Sequence, residues 1–281
     1  MKLREFFYLL GLKPRPRRYG WALQEHQMPR DGRIEVAQWL APGAYPLRPN
    51  QDLVDRLRAF LRPGDVVIDI GAHTGDTGLP MALAVGPTGA VLAFEPNPYV
   101  YPVLEQNATL NRDRTRIIPF PFAAMRTTGE YEFHYGGPEF NNGGFHEGMS
   151  RWMHASAFTV KVQGRHLPSL LAEQYPDLLP RLRFIKIDTE GFDLAILETL
   201  EPLLQAHRPH LQVEMFSQKR SLPGYRDKLY EFLVRHAYEV RRMEGGAFAS
   251  GTAVTPENLM ERDTYDVFCI PRRTSDQLPR S

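Results

Sequence analysis

The chain has 281 residues, of which 42% are hydrophobic and 24% charged, and its formal net charge is +1. This composition is typical of a globular protein, and the near-neutral charge argues against a nucleic-acid partner, which usually requires a basic surface. No apolar run approaches the roughly 20 residues that span a bilayer. The single cysteine, Cys269, cannot form an intrachain disulfide, so we expect a reducing, cytoplasmic location.

The first 50 residues are expected to form an attachment to one main domain over residues 51–281. An apolar stripe at helical spacing between residues 2 and 12 predicts a short amphipathic helix, which Pro14 ends. We expect this helix to pack on the body or on a second subunit. Basic residues at positions 13–18 leave peripheral contact with an anionic membrane as the alternative. Four prolines and little periodicity predict irregular structure over residues 19–50.

From residue 51 onward, helical patterns alternate with short apolar runs, which predicts a mostly parallel sheet covered by helices on both faces. The predicted helices are at about 51–61, 81–85, 98–111, from 192 onward, and 225–236. The predicted strands of the sheet are at 66–70, 90–94, 116–120, 184–187, 211–215, 239–242 and 265–270. The ligand site of such a sheet is expected beyond the carboxyl ends of its strands.

The segment between the third and fourth predicted strands differs from the rest of the chain. Two segments of alternating hydrophobicity within residues 131–162 predict strands, and they flank a stretch rich in glycine and asparagine. Residues 136–157 therefore predict a loop insertion, whose aromatic and amide side chains are typical of sugar or polyketide binding. An exposed insertion that binds nothing is the alternative.

Glycines follow the first predicted strand of the sheet. Gly71 allows a tight turn and the close approach of a ligand, and Gly75 lets the next helix pack near the strand with its N-terminus facing the turn. At the end of the second strand, Glu95 can accept hydrogen bonds from ribose hydroxyls. A tight turn without a ligand would explain the two glycines alone, but not the carboxylate beside them.

The residue His73 distinguishes between two classes of cofactor. A dinucleotide fingerprint requires glycine at this position, because the pyrophosphate approaches the backbone closely there. Histidine therefore argues against a nicotinamide or flavin dinucleotide. S-adenosylmethionine has no pyrophosphate, and its binding tolerates a side chain at this position.

Three segments in the same order resemble successive signatures of the FkbM-type methyltransferases. They are DIGAHTG at residues 69–75, AFEPN at 93–97 and KIDTEG at 186–191. The resemblance implies S-adenosylmethionine as cofactor. It also implies a class I, Rossmann-like three-layer α/β fold with a seven-stranded sheet and an antiparallel last strand. Residues 51–281 would then form a methyltransferase domain. The resemblance further implies O-methylation of a hydroxyl on a sugar, glycan or natural product. One departure is RHLP at residues 165–168, where members of the family often carry an acidic residue.

The predicted site combines cofactor-binding and catalytic residues. The residues predicted to bind the cofactor are Asp69, Gly71, Ala72, His73, Gly75, Glu95, Asn97 and Ala124. The predicted catalytic residues are Asp188, Lys186 and Glu190. No metal is included in this prediction, although paired carboxylates at Asp188 and Glu214 could hold Mg²⁺.

The predicted catalytic residues lie at the end of the fourth strand. Phe184, Lys186 and Asp188 alternate onto one face of this strand, and a lysine in so apolar a strand must be paired or hydrogen-bonded. We predict that Asp188 orients or deprotonates the acceptor hydroxyl. The alternative is that the charged residues only hold the end of the strand.

Two other functions are compatible with the cofactor motif. One is N-methylation of a small amine, and the other is a partner subunit that binds the cofactor without catalysis. The full set of charged residues at the predicted site argues against the second alternative. The acceptor and the oligomeric state are not determined by these patterns.

Overall fold

The protein is represented by a computed structural model that describes residues 17–135, 143–144, 158–189, 191–217, 223–245 and 248–272. The predicted N-terminal helix, nearly all of the 136–157 insertion and Glu190 lie outside the described residues. Within the described ranges, no helix combines the length and the apolar character that crossing a membrane requires.

Helices and strands alternate through most of the chain. The helices are α1 (Gln51–Arg58), α2 (Gly78–Val85), α3 (Tyr101–Thr109), α4 (Leu167–Gln174), α5 (Asp193–His207) and α6 (Tyr225–Arg235). The strands are β1 (Trp21–Met28), β2 (Gly32–Trp39), β3 (Val66–Ile70), β4 (Ala90–Phe94), β5 (Ile117–Phe120), β6 (Phe122–Ala124), β7 (Gly129–Tyr135), β8 (Gly143–Gly144), β9 (Phe158–Arg165), β10 (Leu182–Ile187), β11 (His210–Met215), β12 (Tyr238–Arg242) and β13 (Tyr265–Pro271).

Seven strands form the central sheet, in the order β12-β13-β11-β10-β3-β4-β5. The strand β13 runs antiparallel to both of its neighbours, and the other described pairings in this sheet are parallel. The predicted sheet with an antiparallel last strand is therefore confirmed. The chain moves outward from β3 through β4 to β5 and then returns to place β10 on the other side of β3. A crevice opens beyond the strand ends at such a reversal.

Helices cover both faces of the sheet, as predicted. On one face, Ile185 and Ile187 of β10 share a core with α4, α5 and α6. On the other face, Phe184 shares a core with residues of α1, α2 and α3. The alternation predicted for β10 is thus confirmed, and it directs Lys186 to the same side as Phe184.

The prediction of irregular structure over residues 19–50 was wrong for residues 21–39. Strands β1 and β2 form an antiparallel hairpin there, with Trp21 paired to Trp39. The prolines that suggested irregularity lie outside the two strands. Ile34 and Val36 of β2 are fully buried against α1 and α2, so this burial stabilises a strand whose partner β1 is mostly exposed.

The two strands predicted within residues 131–162 are β7 and β9, which pair in antiparallel fashion. They belong to a second sheet in the order β6-β9-β7-β8. Its strand β6 follows β5 after one residue and pairs with β9 in parallel. This second sheet therefore stands beside the carboxyl ends of the central strands.

Candidate active site

A cavity of about 270 Å³ lies at the carboxyl ends of β3, β4 and β10. Its wall combines the turn after β3, the residues after β4, strands β6 and β7, and the segment that joins β10 to α5. The lining residues are Tyr45, Ile70, Gly71, His73, Asp76, Thr77, Phe94, Glu95, Pro96, Asn97, Phe122, Ala123, Ala124, Phe133, Tyr135, Lys186, Asp188, Thr189, Phe192 and Ile196.

The turn after β3 depends on glycine. Gly71 has a φ of +81°, and a Cβ atom there would collide with the carbonyl oxygen of Asp188. Its N–H and that of Ala72 both donate to the carbonyl oxygen of Phe94, at 3.0 and 3.1 Å. Gly75 has a φ of +91°, and a Cβ atom there would lie 3.2 Å from Leu104 of α3. These contacts hold the turn against β4 and α3.

The carboxylate of Glu95 is fixed by two backbone donors. One oxygen accepts from the N–H of His73 at 2.9 Å, and the other accepts from the N–H of Asn97 at 2.8 Å. The residue is only 7% exposed, and burial raises the pKa of its carboxyl group. A carboxylate oxygen can accept more than one hydrogen bond, so both oxygens keep acceptor capacity for a diol in the cavity.

An ion-pair chain runs from the wall of the cavity into the protein interior. The Lys186 Nζ lies 3.6 Å from Asp69 and 3.3 Å from Asp188. Burial disfavours the charged lysine, but the carboxylates of Asp188 and Asp69 outweigh that effect and raise its pKa. The predicted pairing of this lysine is therefore confirmed. Asp69 is fully buried and accepts from Thr77 Oγ1 at 3.0 Å, whereas the Asp188 side chain is 47% exposed.

The residue Asp193 was not singled out by the sequence patterns. It is fully buried at the start of α5, and its two oxygens accept from the N–H groups of Thr189 and Gly191, both at 3.2 Å. The hydroxyl of Tyr225 also donates to it at 3.2 Å. Burial raises the pKa of this carboxyl group to about 7. Asp193 therefore fixes the segment that follows Asp188. In the sequence, an acidic residue two positions after a glycine at the start of a helix was the pattern that could have predicted this role.

Aromatic side chains form much of the remaining wall. Phe122 of β6, Phe133 and Tyr135 of β7, and Phe192 before α5 contribute to it, and Tyr45 lies at the rim with 75% of its surface exposed. Burial raises the pKa of Tyr135 well above its usual value, so it stays a neutral phenol. None of these aromatic residues was among the predicted site residues.

The predicted site residues divide into three groups by position. Those that line the cavity are Gly71, His73, Glu95, Asn97, Ala124, Lys186 and Asp188. Those that lie behind its wall are Asp69, Ala72 and Gly75, all of them buried. Glu190 is outside the described residues. Glu214 is not among the cavity-lining residues, and the described residues include no group of three or more His, Cys, Asp and Glu side chains arranged around a metal position.

The central sheet, the helices on both of its faces and the cavity at the carboxyl ends of its strands define a class I, Rossmann-like α/β architecture. Residues 69–240 match the model of the methyltransferase FkbM domain. This match covers more than half of the chain, and the chain therefore belongs to the FkbM methyltransferase family. Membership of this family makes S-adenosylmethionine its cofactor.

The individual proteins that resemble this chain share less than 30% of their aligned residues with it. Methyltransferase sdnD of Sordaria araneosa is 28% identical over 164 residues, which cover 51% of this chain and 63% of that protein. The crystal structure of methyltransferase FkbM from Methylobacillus flagellatus KT aligns with a TM-score of 0.45 and 15% identity, over 74% of this chain and 44% of that one. An S-adenosylmethionine-dependent O-methyltransferase from Thermotoga maritima aligns with a TM-score of 0.42 and 12% identity, over 90% and 79% of the two chains. The chain thus spans less than two thirds of the curated relative that it matches.

Proposed function

We propose that this chain is an S-adenosylmethionine-dependent O-methyltransferase that acts on a hydroxyl of a sugar, glycan or natural product. The observation that carries the proposal is that two carboxylates with different environments share one cavity. Glu95 is buried and fixed by backbone donors, whereas Asp188 is half exposed. The environment of Glu95 suits a carboxylate that binds the cofactor, and the environment of Asp188 suits a carboxylate that contacts the acceptor hydroxyl.

The residues of the cavity fit the cofactor. A fixed carboxylate at Glu95 suits a ribose diol, and the apolar wall at Phe122 and Ala124 suits a purine. His73 lines the same cavity beside Glu95, and its backbone N–H holds the Glu95 carboxylate in place. We assign Gly71, His73, Glu95, Asn97 and Ala124 to cofactor binding. Asp69 supports the site from behind through Lys186.

The proposed chemistry requires little from the protein beyond alignment and one proton acceptor. When bound, S-adenosylmethionine supplies a methyl group already activated on a sulfonium. The chain aligns the acceptor hydroxyl, and Asp188 accepts the proton that this hydroxyl loses as its oxygen is methylated. Lys186 holds one Asp188 oxygen at 3.3 Å, which leaves the other oxygen for the acceptor.

The test is the variant Asp188→Asn, which keeps the shape of the side chain and removes its charge. We expect turnover with hydroxylated acceptors to fall about 10²- to 10⁴-fold, the usual contribution of general-base catalysis. The affinity for S-adenosylhomocysteine should change by no more than a few-fold. Turnover is measured by transfer of a labelled methyl group, and cofactor affinity by calorimetry.

Three outcomes would contradict the proposal. Unchanged turnover with a lowered melting temperature would make the Lys186 and Asp188 pair a purely structural element. Preferential transfer to amines over matched alcohols would indicate N-methylation. Cofactor binding without transfer to any acceptor in a broad panel of sugars and polyketides would indicate a non-catalytic subunit.

A further inference from the structure

The side chain of Asn107 connects the N-terminal hairpin to the turn that follows β3. It is 2% exposed and lies on α3. Its Oδ1 accepts from the N–H of Ala37 at 2.7 Å, and its Nδ2 donates to the carbonyl oxygen of Ala37 at 3.1 Å. The same Nδ2 donates to the carbonyl oxygen of Thr74 at 2.8 Å. One buried amide therefore binds β2 and the cofactor turn together.

The contact with β2 has a simple backbone explanation. One edge of β2 pairs with β1, and the peptide groups of Glu35 and Ala37 on the other edge face α3. Two asparagine side chains of the α3 region take the place of a neighbouring strand. Asn111 accepts from the N–H of Glu35 at 3.0 Å and donates to its carbonyl oxygen at 2.8 Å, just as Asn107 does for Ala37. Buried peptide groups require such partners.

The turn that Asn107 reaches has an unfavourable backbone conformation. His73 has a φ of +48°, in the left-handed region that is unfavourable for a non-glycine residue. Three contacts oppose its relaxation. The His73 N–H donates to Glu95, the His73 ring meets the edge of Trp39 at 5.7 Å, and Asn107 holds the next carbonyl group, that of Thr74. Two of these three contacts depend on β2.

We propose that Asn107 is a positioning residue for the cofactor turn, and that through it the docked hairpin sets the affinity for the cofactor. The inference rests on the proposed cofactor site, because it assigns a role to the support of that site. Without the bond to Thr74, the turn relaxes and the His73 N–H no longer fixes the Glu95 carboxylate. The hairpin lies outside residues 69–240, so this support comes from a part of the chain that the family match does not include.

The chain offers a control at Asn111, whose φ of +54° means that alanine there also strains the backbone. Both Asn107→Ala and Asn111→Ala leave one N–H and one carbonyl group of β2 without their side-chain partner, so both should lower the melting temperature. Only Asn107→Ala also removes the bond to the cofactor turn. We expect about a 2- to 12-fold loss of affinity for S-adenosylhomocysteine in Asn107→Ala, which is the equivalent of one net hydrogen bond of about 0.5–1.5 kcal/mol at 1.4 kcal/mol per factor of ten. Asn111→Ala should stay within about 2-fold of wild type.

Affinity is measured by calorimetry well below the melting temperature of each variant, and hydrogen exchange of residues 72–75 is compared in the same samples. Equal affinities in the two variants, whether unchanged or equally reduced, would overturn the proposal. If Asn107→Ala does not fold, Asn107→Asp keeps the acceptor for Ala37 and removes both donors, and Asn111→Asp becomes its control. Failure of the wild-type chain to bind the cofactor would instead contradict the proposed function.

Discussion

The role assigned to Glu95 can be tested by one substitution that leaves the shape of the side chain unchanged. In Glu95→Gln, the single amide oxygen can accept from His73 or from Asn97 but not from both, because the other position presents an amino group to an N–H donor. The variant also removes the negative charge that would accept the ribose hydroxyls. Hydrogen bonds to a charged group contribute about 1.5–3 kcal/mol.

That range corresponds to a loss of about 10- to 150-fold in affinity for S-adenosylhomocysteine, since 1.4 kcal/mol is a factor of ten. Calorimetry measures it directly. The control is Glu105→Gln, because Glu105 is an exposed acid on α3 that does not line the cavity. The affinity of this control variant for S-adenosylhomocysteine should equal that of wild type. An unchanged affinity in Glu95→Gln would refute the assignment of this carboxylate to the ribose.

Two further predictions concern stability. Lys186→Met leaves Asp69 buried without its counter-charge and should lower the free energy of unfolding by about 3–5 kcal/mol in urea titration. The control Lys161→Met removes only an exposed ion pair and should lower the free energy of unfolding much less. Equal losses in the two variants would show that the buried pair does not stabilise the fold. Burial against Phe268 lowers the pKa of His210 to about 4. Between about pH 4 and pH 6.5 the unfolded chain therefore binds a proton at this histidine that the folded chain does not. The free energy of unfolding should accordingly increase as the pH is raised through this range. His210→Phe should flatten that part of the melting-temperature profile, and an unchanged slope would show that His210 does not cause it.

The central sheet could be predicted because its strands are short runs of almost exclusively apolar residues. A parallel strand buried on both faces tolerates almost no polar residues, so Val66–Ile70 and Ala90–Phe94 stand out from the sequence. The pairing of Lys186 could also be predicted, since a charge within such a strand must have a partner. These inferences need only local sequence and the cost of burying polar groups.

The remaining features depend on contacts between distant parts of the chain. Asp69 was predicted to bind the cofactor, and it lies behind the cavity wall, where a Cβ atom at Gly78 of α2 would be only 3.3 Å from its Oδ2 atom. Asn107 lies 70 residues from Ala37 and 33 from Thr74 in sequence, so no local pattern marks it. The hairpin was missed for the same reason, because its stability comes from α1 and α2.

The most direct test of the account is a crystal structure of the protein with S-adenosylhomocysteine. We predict that both ribose hydroxyls lie within about 3 Å of the Glu95 oxygens, the usual length of such hydrogen bonds. We also predict that the sulfur lies on the side of the cavity that Asp188 lines, with the purine against Ala124. A ligand bound with its ribose away from Glu95, or with its sulfur directed away from Asp188, would contradict it.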